Sequence, residues 1–394
     1  MSANDANGRR RWRLSFLFVL AASTSVAIAG PREQAKRIHN RLTGTHPSPA
    51  VLSSMAAKIT AGDALGAANE AIDNPAFYNT TLKDLATPWS TKRQSIFVGL
   101  NDLSATVIGL IRDNRSFQEV LTADVLYVGA AGVVPTPYSH TDNTHYQELE
   151  ANGVDLSNPA NLVPVAQSTI PDTPLTPENT AGIMTSRTFA EAFFAGGTNR
   201  RATRFASINF LCGDMEAFRD ITRPADRIRP DITRSPGGDS SIFLNDCISC
   251  HSGMDALTGA FAYYDFSKDL QRLVFTDNVA QAKNNKAGTT FPLGFITTDD
   301  SWVNYWRVGV NSGLGWNPVL PDRGKGAKSL GVEITSSRAF AECQVSQVLA
   351  KVCLREPTGA ADSAAVQRIA DVFQAGGYNM KTAFAEAAIH CMGN

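Results

Sequence analysis

A single pentapeptide, Cys247-Ile-Ser-Cys250-His251, constrains the fold of this 394-residue chain more than any other feature. Cysteines three residues apart lie on the same side of a helical turn, and the histidine follows the second cysteine directly. This is the attachment pattern of a c-type haem, in which both thiols bind the ring edge and the histidine becomes the proximal iron ligand. The motif therefore predicts one covalently attached haem c around which the neighbouring chain must pack.

Two other interpretations of the pentapeptide fit the sequence less well. A thioredoxin-like dithiol needs a βαβ setting, which the flanking residues 241–246 and 252–261 do not supply. A zinc site needs two further ligands at short spacing. The chain contains no second C-x-x-C and no H-x-x-x-H pair.

The first 29 residues predict a cleavable signal peptide. Four arginines between residues 9 and 13 precede an apolar stretch over residues 14–26, and Ala27-Ile28-Ala29 forms a small-residue cleavage site. The apolar stretch is shorter than the roughly 20 residues that a membrane span requires. We expect a protein exported to the periplasm, or otherwise outside the cytoplasm, of a bacterium, since haem c is attached in that compartment.

Charge and hydropathy narrow the range of partners. Removal of residues 1–29 changes the formal net charge from −1 to about −4, which argues against nucleic acid as a partner. No later apolar run reaches the length of a membrane span, so we expect no integral membrane segment after cleavage. The partner expected for a haem c is another redox protein.

Four cysteines remain outside the pentapeptide, namely Cys212, Cys343, Cys353 and Cys391. An even number in an oxidising compartment indicates two disulfides, for which three connectivities exist. Cys353 and Cys391 each end a predicted helix, and an up-down-up arrangement favours their pairing, which leaves Cys212 for Cys343. Four buried free thiols remain the alternative.

Most of the chain shows helical periodicity, and strand signals are few. Helices are predicted after Ser48-Pro49, along the stripe Leu103–Ile111, over the phenylalanine-rich pair 189–194 and 205–211, and over 336–354, 362–375 and 379–391. The predicted fold is mainly α, with a cytochrome-c-like haem domain embedded between two helical modules and joined by long loops. The predicted divisions are a signal peptide over 1–29, an N-terminal helical region over 30–180, a haem c domain over 181–332 and a C-terminal helical module over 333–394.

The residues that follow the pentapeptide carry a family resemblance. Met254-Asp255 and Gly259-Ala-Phe261 resemble the pattern C-x-x-C-H-x-x-[hydrophobe]-D-x-x-G, with one residue inserted before the glycine. That pattern is typical of large single-haem cytochromes c first catalogued in planctomycetes and assigned to domains of unknown function. Together with weaker similarity upstream and in the last 60 residues, the resemblance covers about two thirds of the mature chain. A proline-rich run expected after Cys212 is missing, which indicates a divergent branch. The resemblance implies extracytoplasmic redox function and a C-terminal helical module.

The second axial ligand of the iron decides between two kinds of chemistry. A methionine or a second histidine closes the iron for electron transfer, whereas an open position permits reaction with a ligand or a peroxide. Met184 is the first candidate, because it lies where a loop turns into the helix preceding the pentapeptide. His145 is the second candidate. For each, an ordinary structural role is the alternative.

Eight arginines lie between residues 200 and 234, ahead of the pentapeptide. One or two are expected to contact the haem propionates, and the others to pair with Asp214, Asp220, Asp226 or Asp231. Three tryptophans after the motif, Trp302, Trp306 and Trp316, are expected in the core, with lining of the haem edge as the alternative.

The sequence thus predicts an extracytoplasmic single-haem cytochrome c that transfers one electron at a time with a redox partner. One alternative is a haem-dependent, peroxidase-like oxidoreductase with an open distal site. Another is a binding or assembly subunit whose haem is structural. Because no other catalytic signature is present, electron transfer is preferred over a stand-alone enzyme.

Overall fold

The computed structural model describes residues 29–287 and 293–393, and the predicted signal peptide lies almost wholly outside the described residues. The described chain is mainly α, as predicted. Its α-helices are α1 Pro31–Thr43, α2 Pro49–Thr60, α3 Ala64–Ile72, α4 Lys83–Ala86, α5 Asp102–Arg112, α6 Glu119–Thr122, α7 Thr144–Ala151, α8 Arg187–Phe193, α9 Arg200–Leu211, α10 Ser240–Ile242, α11 Ile248–Thr258, α12 Gly326–Thr335, α13 Arg338–Cys353, α14 Gly359–Ala375 and α15 Met380–His390.

The strands of the described chain form three antiparallel pairs of three or four residues each. They are β1 Leu126–Gly129 with β2 Leu162–Val165, β3 Tyr264–Ser267 with β4 Arg272–Phe275, and β5 Ser301–Val303 with β6 Arg323–Lys325. Two-stranded sheets of this size depend on packing against helices for their stability.

Polar side chains at helix starts account for several predicted helices. The Ser48 hydroxyl accepts a hydrogen bond from the Val51 backbone N–H at the start of α2, and Pro49 occupies its first position. At α5, Asn101 and Ser104 form a reciprocal capping box. These side chains satisfy backbone N–H groups that have no partner within the helix, so both helices begin where the sequence predicts.

Helices α8 and α13 start with the same serine N-cap. Ser186 and Ser337 each accept a hydrogen bond from the backbone N–H of a phenylalanine three residues later. The arginine after each serine pairs with the glutamate four residues further on, Arg187 with Glu191 and Arg338 with Glu342. The recurring Ser-Arg-x-Phe-Ala-Glu sequence is therefore a helix-start motif.

The first and last helices of the described chain pack against each other. Helix α1 contacts α13 and α15, and α3 contacts α15. The rings of Phe77 and Phe384 meet edge to face at 4.9 Å, and Arg37 donates to the Met392 carbonyl at 2.7 Å. One continuous cluster of buried apolar residues includes members of the predicted N-terminal, haem and C-terminal segments, whose division stays a prediction.

Two disulfides confirm the predicted connectivity. Cys212 at the end of α9 pairs with Cys343 in α13, with 5.2 Å between their Cα atoms. Cys353 at the end of α13 pairs with Cys391 just after α15, with 5.6 Å between their Cα atoms. The alternative of four free thiols is wrong, because helix packing brings each pair within bonding reach.

Helix α11, which carries the pentapeptide, is anchored on its inner side. Trp306 is buried and lies against Gly253, where an added Cβ would come within 1.9 Å of the indole nitrogen. The hydroxyls of Thr203 in α9 and Thr258 in α11 lie 2.8 Å apart. The core placement predicted for the tryptophans is confirmed, since Trp302 and Trp316 are buried as well. Within the described ranges, no helix combines the length and apolarity needed to cross a membrane.

Candidate functional site

The two cysteines and the histidine of the pentapeptide lie on one turn at the start of α11. A π-helical turn over Phe243–Cys247 leads directly into the helix, with Cys247 as its N-cap residue. Residues three and four apart share a helix face, so Cys247, Cys250 and His251 point to the same side. The predicted attachment residues are therefore brought together by local structure alone.

Cys247 and Cys250 are free thiols, in contrast to the four cysteines that form disulfides. Both are partly exposed. The Cys250 thiol donates to the Met215 carbonyl at 3.6 Å, and burial raises its pKa. The strands of the described chain pair only antiparallel, so the parallel βαβ setting of a thioredoxin-like dithiol does not surround this turn.

His251 is held in one tautomer by Asp255, one turn further along α11. Its Nδ1 atom lies 3.1 Å from the Asp255 Oδ1 atom. An ionised carboxylate only accepts hydrogen bonds, so the proton of the neutral imidazole must lie on Nδ1. The lone pair is then on Nε2, which has no hydrogen-bond partner among the described residues. This tautomer leaves Nε2 able to bind a metal.

The Asp255 carboxylate is the centre of a buried network. Its side chain is 0% exposed. Arg200 binds it through two nitrogens, with 2.8 Å between Nη2 and Oδ2, and the Arg229 backbone N–H donates to the same Oδ2 at 3.1 Å. Arg200 also binds Asp231 through two hydrogen bonds of 2.6 and 2.8 Å. Arg200 therefore forms ion pairs with both Asp255 and Asp231 beside His251.

This network keeps Asp255 ionised. Burial alone would raise the pKa of the Asp255 carboxyl, but hydrogen bonds from Arg200 and His251 outweigh burial and hold that pKa far below its ordinary value. Hydrogen bonds to Asp255 and Asp231 likewise raise the pKa of Arg200 against the effect of burial. Burial lowers the pKa of Arg229 to about 10. At neutral pH His251 therefore faces a full negative charge that is shared with Arg200.

Exposed apolar side chains adjoin the start of α11. The Asp220 backbone N–H donates to the Ser249 carbonyl at 2.9 Å, which places the following isoleucine at this turn. Gly309 packs against the Asp220 carboxylate. Five side chains on these segments are between 41% and 72% exposed, namely Ile221, Ile242, Leu244, Val308 and Val310. These side chains are available to pack against an apolar group that is held at this turn.

Met184, the first distal candidate, is fully buried in the core. It lies in a turn that is fixed by backbone hydrogen bonds from Ile183 to Val120 and from Gly182 to Ala123. Its assignment as the distal ligand stays a prediction.

His145, the second distal candidate, has both ring nitrogens engaged. Nε2 accepts a hydrogen bond from the Gly129 N–H at 2.8 Å, and Nδ1 donates to the Thr136 carbonyl at 2.7 Å. A nitrogen that accepts a hydrogen bond has no lone pair left for iron. In this conformation His145 joins β1 to the segment around Thr136.

Three of the eight arginines in residues 200–234 pair with the aspartates predicted for them. Ion pairs join Arg204 to Asp214, Arg200 to Asp231 and Arg223 to Asp220. Asp226 instead accepts hydrogen bonds from the Tyr305 hydroxyl. Arg219 is half exposed and contacts the pentapeptide, with its Nε atom 3.1 Å from the Ser249 hydroxyl and an ion pair to Asp246.

Sequence reasoning missed the role of Asp255 and Arg200. Asp255 entered only as part of a family pattern, and Arg200 only as one of eight arginines. The spacing of four residues between His251 and Asp255 was a usable signal, because it places both on one helix face. Met215 was also missed, and its carbonyl contacts Cys250.

The donor set fits a covalent haem better than a bare metal ion. In the described ranges no group of three or more His, Cys, Asp or Glu side chains comes together as a metal site. A haem iron needs only one or two protein ligands, since the porphyrin supplies the other four. Two free thiols, a histidine with its Nε2 lone pair available, and exposed apolar side chains meet that requirement.

The chain was compared with family models, with curated proteins and with solved structures, and it matches none of them.

Proposed function

We propose that this protein is an extracytoplasmic single-haem cytochrome c that exchanges one electron at a time with a redox partner protein. The observation that carries the proposal is the arrangement at the start of α11. Two free thiols and a histidine lie on one face, and Asp255 directs the lone pair of that histidine to Nε2. No other group of residues in the described chain combines these features.

Each residue of the turn has a defined role in this proposal. Cys247 and Cys250 hold the ring edge through thioether bonds, and His251 binds the iron through Nε2. Asp255 keeps the proton on Nδ1. When bound, the haem supplies reversible one-electron chemistry at its iron.

The two disulfides support an extracytoplasmic location. Disulfides persist in oxidising compartments and are rare in the cytosol. Haem c is attached in the same kind of compartment, and residues 1–29 have the features of an export signal. The location and the cofactor therefore support each other.

The test is to produce the full chain in a bacterial host that carries a working cytochrome c maturation system. The purified protein should carry one haem that remains attached on a denaturing gel and gives a c-type absorption spectrum. Non-reduced, unfolded protein should contain no titratable thiol, because four cysteines form disulfides and two form thioethers.

A matched pair of variants makes this test specific. The Cys247→Ala/Cys250→Ala variant should lose the attached haem completely, whereas Cys353→Ala/Cys391→Ala removes two cysteines elsewhere and should retain it. Colourless wild-type protein with two free thiols would contradict the proposal.

The distal ligand needs a substitution that does not disturb the core. Truncation of the buried Met184 to alanine would cost about 2–5 kcal/mol of stability whether or not its sulfur binds iron. Leucine keeps the side-chain volume and typically costs less than about 1.5 kcal/mol. Loss of a sulfur-to-iron charge-transfer band in Met184→Leu would support Met184 as the ligand, and survival of the band would exclude it.

A haem-dependent oxidoreductase is the second candidate, and the state of the distal candidates favours it. Met184 is enclosed in the core and both His145 nitrogens are engaged, so neither side chain is free in this conformation. Cyanide or carbon monoxide should shift the visible spectrum of such an enzyme. A spectrum indifferent to both ligands supports the electron-transfer protein instead.

A further inference from the structure

We propose that Asp255 positions His251 as the iron ligand of the haem. We propose also that the negative charge of Asp255, moderated by Arg200, keeps the reduction potential of the haem low. This inference rests on the proposed function, because it concerns the haem attached at the same turn. It goes further by assigning the residues that set the potential and the direction in which each one acts.

Asp255 is hydrogen-bonded to His251, so it can influence the iron through this proposed ligand. The carboxylate accepts the Nδ1 proton at 3.1 Å, and the opposite ring nitrogen is the one available to the metal. A carboxylate on the far side of a metal-bound imidazole fixes the ring orientation and makes the ligand more basic. A more basic ligand stabilises the ferric over the ferrous state and so lowers the potential.

The positive charge of Arg200 offsets part of the effect that the negative charge of Asp255 has on His251. Its guanidinium binds both Asp255 oxygens and both Asp231 oxygens, and its side chain is 14% exposed. Electrostatic interactions are strong in such a setting because little water is present to screen them. Removing the carboxylate and removing the guanidinium must therefore shift the potential in opposite directions.

Asp231 provides a matched control. It binds the same arginine as Asp255, but among the described residues the hydrogen bond and ion pair to His251 come from Asp255 alone. Asp255→Asn and Asp231→Asn each remove one negative charge from the same network and keep a side chain of equal size. The Asp231 carboxylate, 20% exposed and bonded to the far side of Arg200, reports the charge effect of the network alone, whereas an effect transmitted through the imidazole requires Asp255.

The main experiment is an equilibrium redox titration of the haem-loaded full chain and of three variants. Asp255→Asn should raise the ferrous-to-ferric ratio at least tenfold at a fixed applied potential, which is about 59 mV for one electron. Asp231→Asn should raise the reduction potential by less than half as much as Asp255→Asn does. Arg200→Gln should lower the reduction potential. An unchanged potential in Asp255→Asn, or equal shifts in the two asparagine variants, would overturn the proposal.

A second measurement needs neither haem nor a change in the network. In the full-length Cys247→Ala/Cys250→Ala protein, nitrogen-15 NMR of the histidine rings should show His251 with its proton on Nδ1. A proton on Nε2 would overturn the role of Asp255 even if Asp255→Asn fails to fold. Failure of the proposed function is distinct from either result, because it would appear as wild-type protein without attached haem.

Discussion

The indole of Trp306 lies so close to the backbone of Gly253 that a methyl group at position 253 would come within 1.9 Å of Nε1. Gly253 is two residues after His251 in α11, on the buried side of the helix. Glycine costs a helix roughly 1 kcal/mol relative to alanine. At this position it allows the tryptophan to support the turn that carries the candidate ligands.

We expect Gly253→Ala to destabilise the protein by about 1–3 kcal/mol, although alanine is the better helix former. The cause is the steric overlap with Trp306, which must move or displace α11. Urea denaturation measures the free energy of unfolding. Gly313→Ala is the control, since a Cβ there meets no atom within 4 Å. Equal stability of the two alanine variants would contradict the packing described for Trp306.

The helix starts at Ser186 and Ser337 lead to a second prediction. Each hydroxyl accepts one backbone hydrogen bond, of 3.2 and 3.1 Å respectively, so Ser186→Ala and Ser337→Ala should each cost about 1 kcal/mol. The exposed Ser53, whose hydroxyl only donates back to the Pro49 carbonyl, is the control and should change stability by less than about 0.5 kcal/mol. Thermal or chemical unfolding that ranks Ser53→Ala as the most harmful would rule out the shared helix-start motif.

Several helices could be predicted because their information is local. The starts of α2 and α5 depend on cap residues within a few positions, and three C-terminal helices follow apolar periodicity. The strands were not predicted, because runs of three or four residues, as in β5 and β6, carry too little alternation to stand out. Their pairing joins residues about 20 positions apart, which no local pattern encodes.

The residues of the candidate site likewise include some that local sequence predicts and some that depend on tertiary packing. Cys247, Cys250, His251 and Asp255 follow from helix spacing within nine residues. Which of the eight arginines binds Asp255 could not be predicted, because the answer depends on how α9 packs against α11. Arg200 is 55 residues from Asp255 in sequence. Cys212 and Cys343 are a similar case, since tertiary packing brings them together over 131 residues.

Acidification should weaken the fold through His39. This histidine is buried at the α1 end, its Nδ1 donates to the Thr45 carbonyl at 3.0 Å, and burial lowers its pKa below the ordinary value. A histidine with a lowered pKa in the folded state contributes stability above its unfolded pKa of about 6.5. That contribution is lost as the pH falls through the folded-state value, because the unfolded chain then binds the proton more readily.

The free energy of unfolding should therefore decrease between about pH 7 and pH 5, and His39→Gln should flatten this decrease. Exposed His46 is the control, and His46→Gln should leave most of the slope in place. Parallel pH profiles for the wild type and His39→Gln would show that other groups carry the acid sensitivity.

Loss of either disulfide should cost stability, and the loss should be somewhat larger for the bond that closes the longer chain segment. The Cys212–Cys343 bond spans 131 residues and the Cys353–Cys391 bond spans 38. Loop-closure entropy gives about 5 kcal/mol for the longer loop and about 4 kcal/mol for the shorter one. We therefore expect Cys212→Ala/Cys343→Ala to be the less stable double variant, by about 1 kcal/mol in urea denaturation. The reverse order would mean that local packing of α9 and α13, and not the unfolded chain, controls the effect.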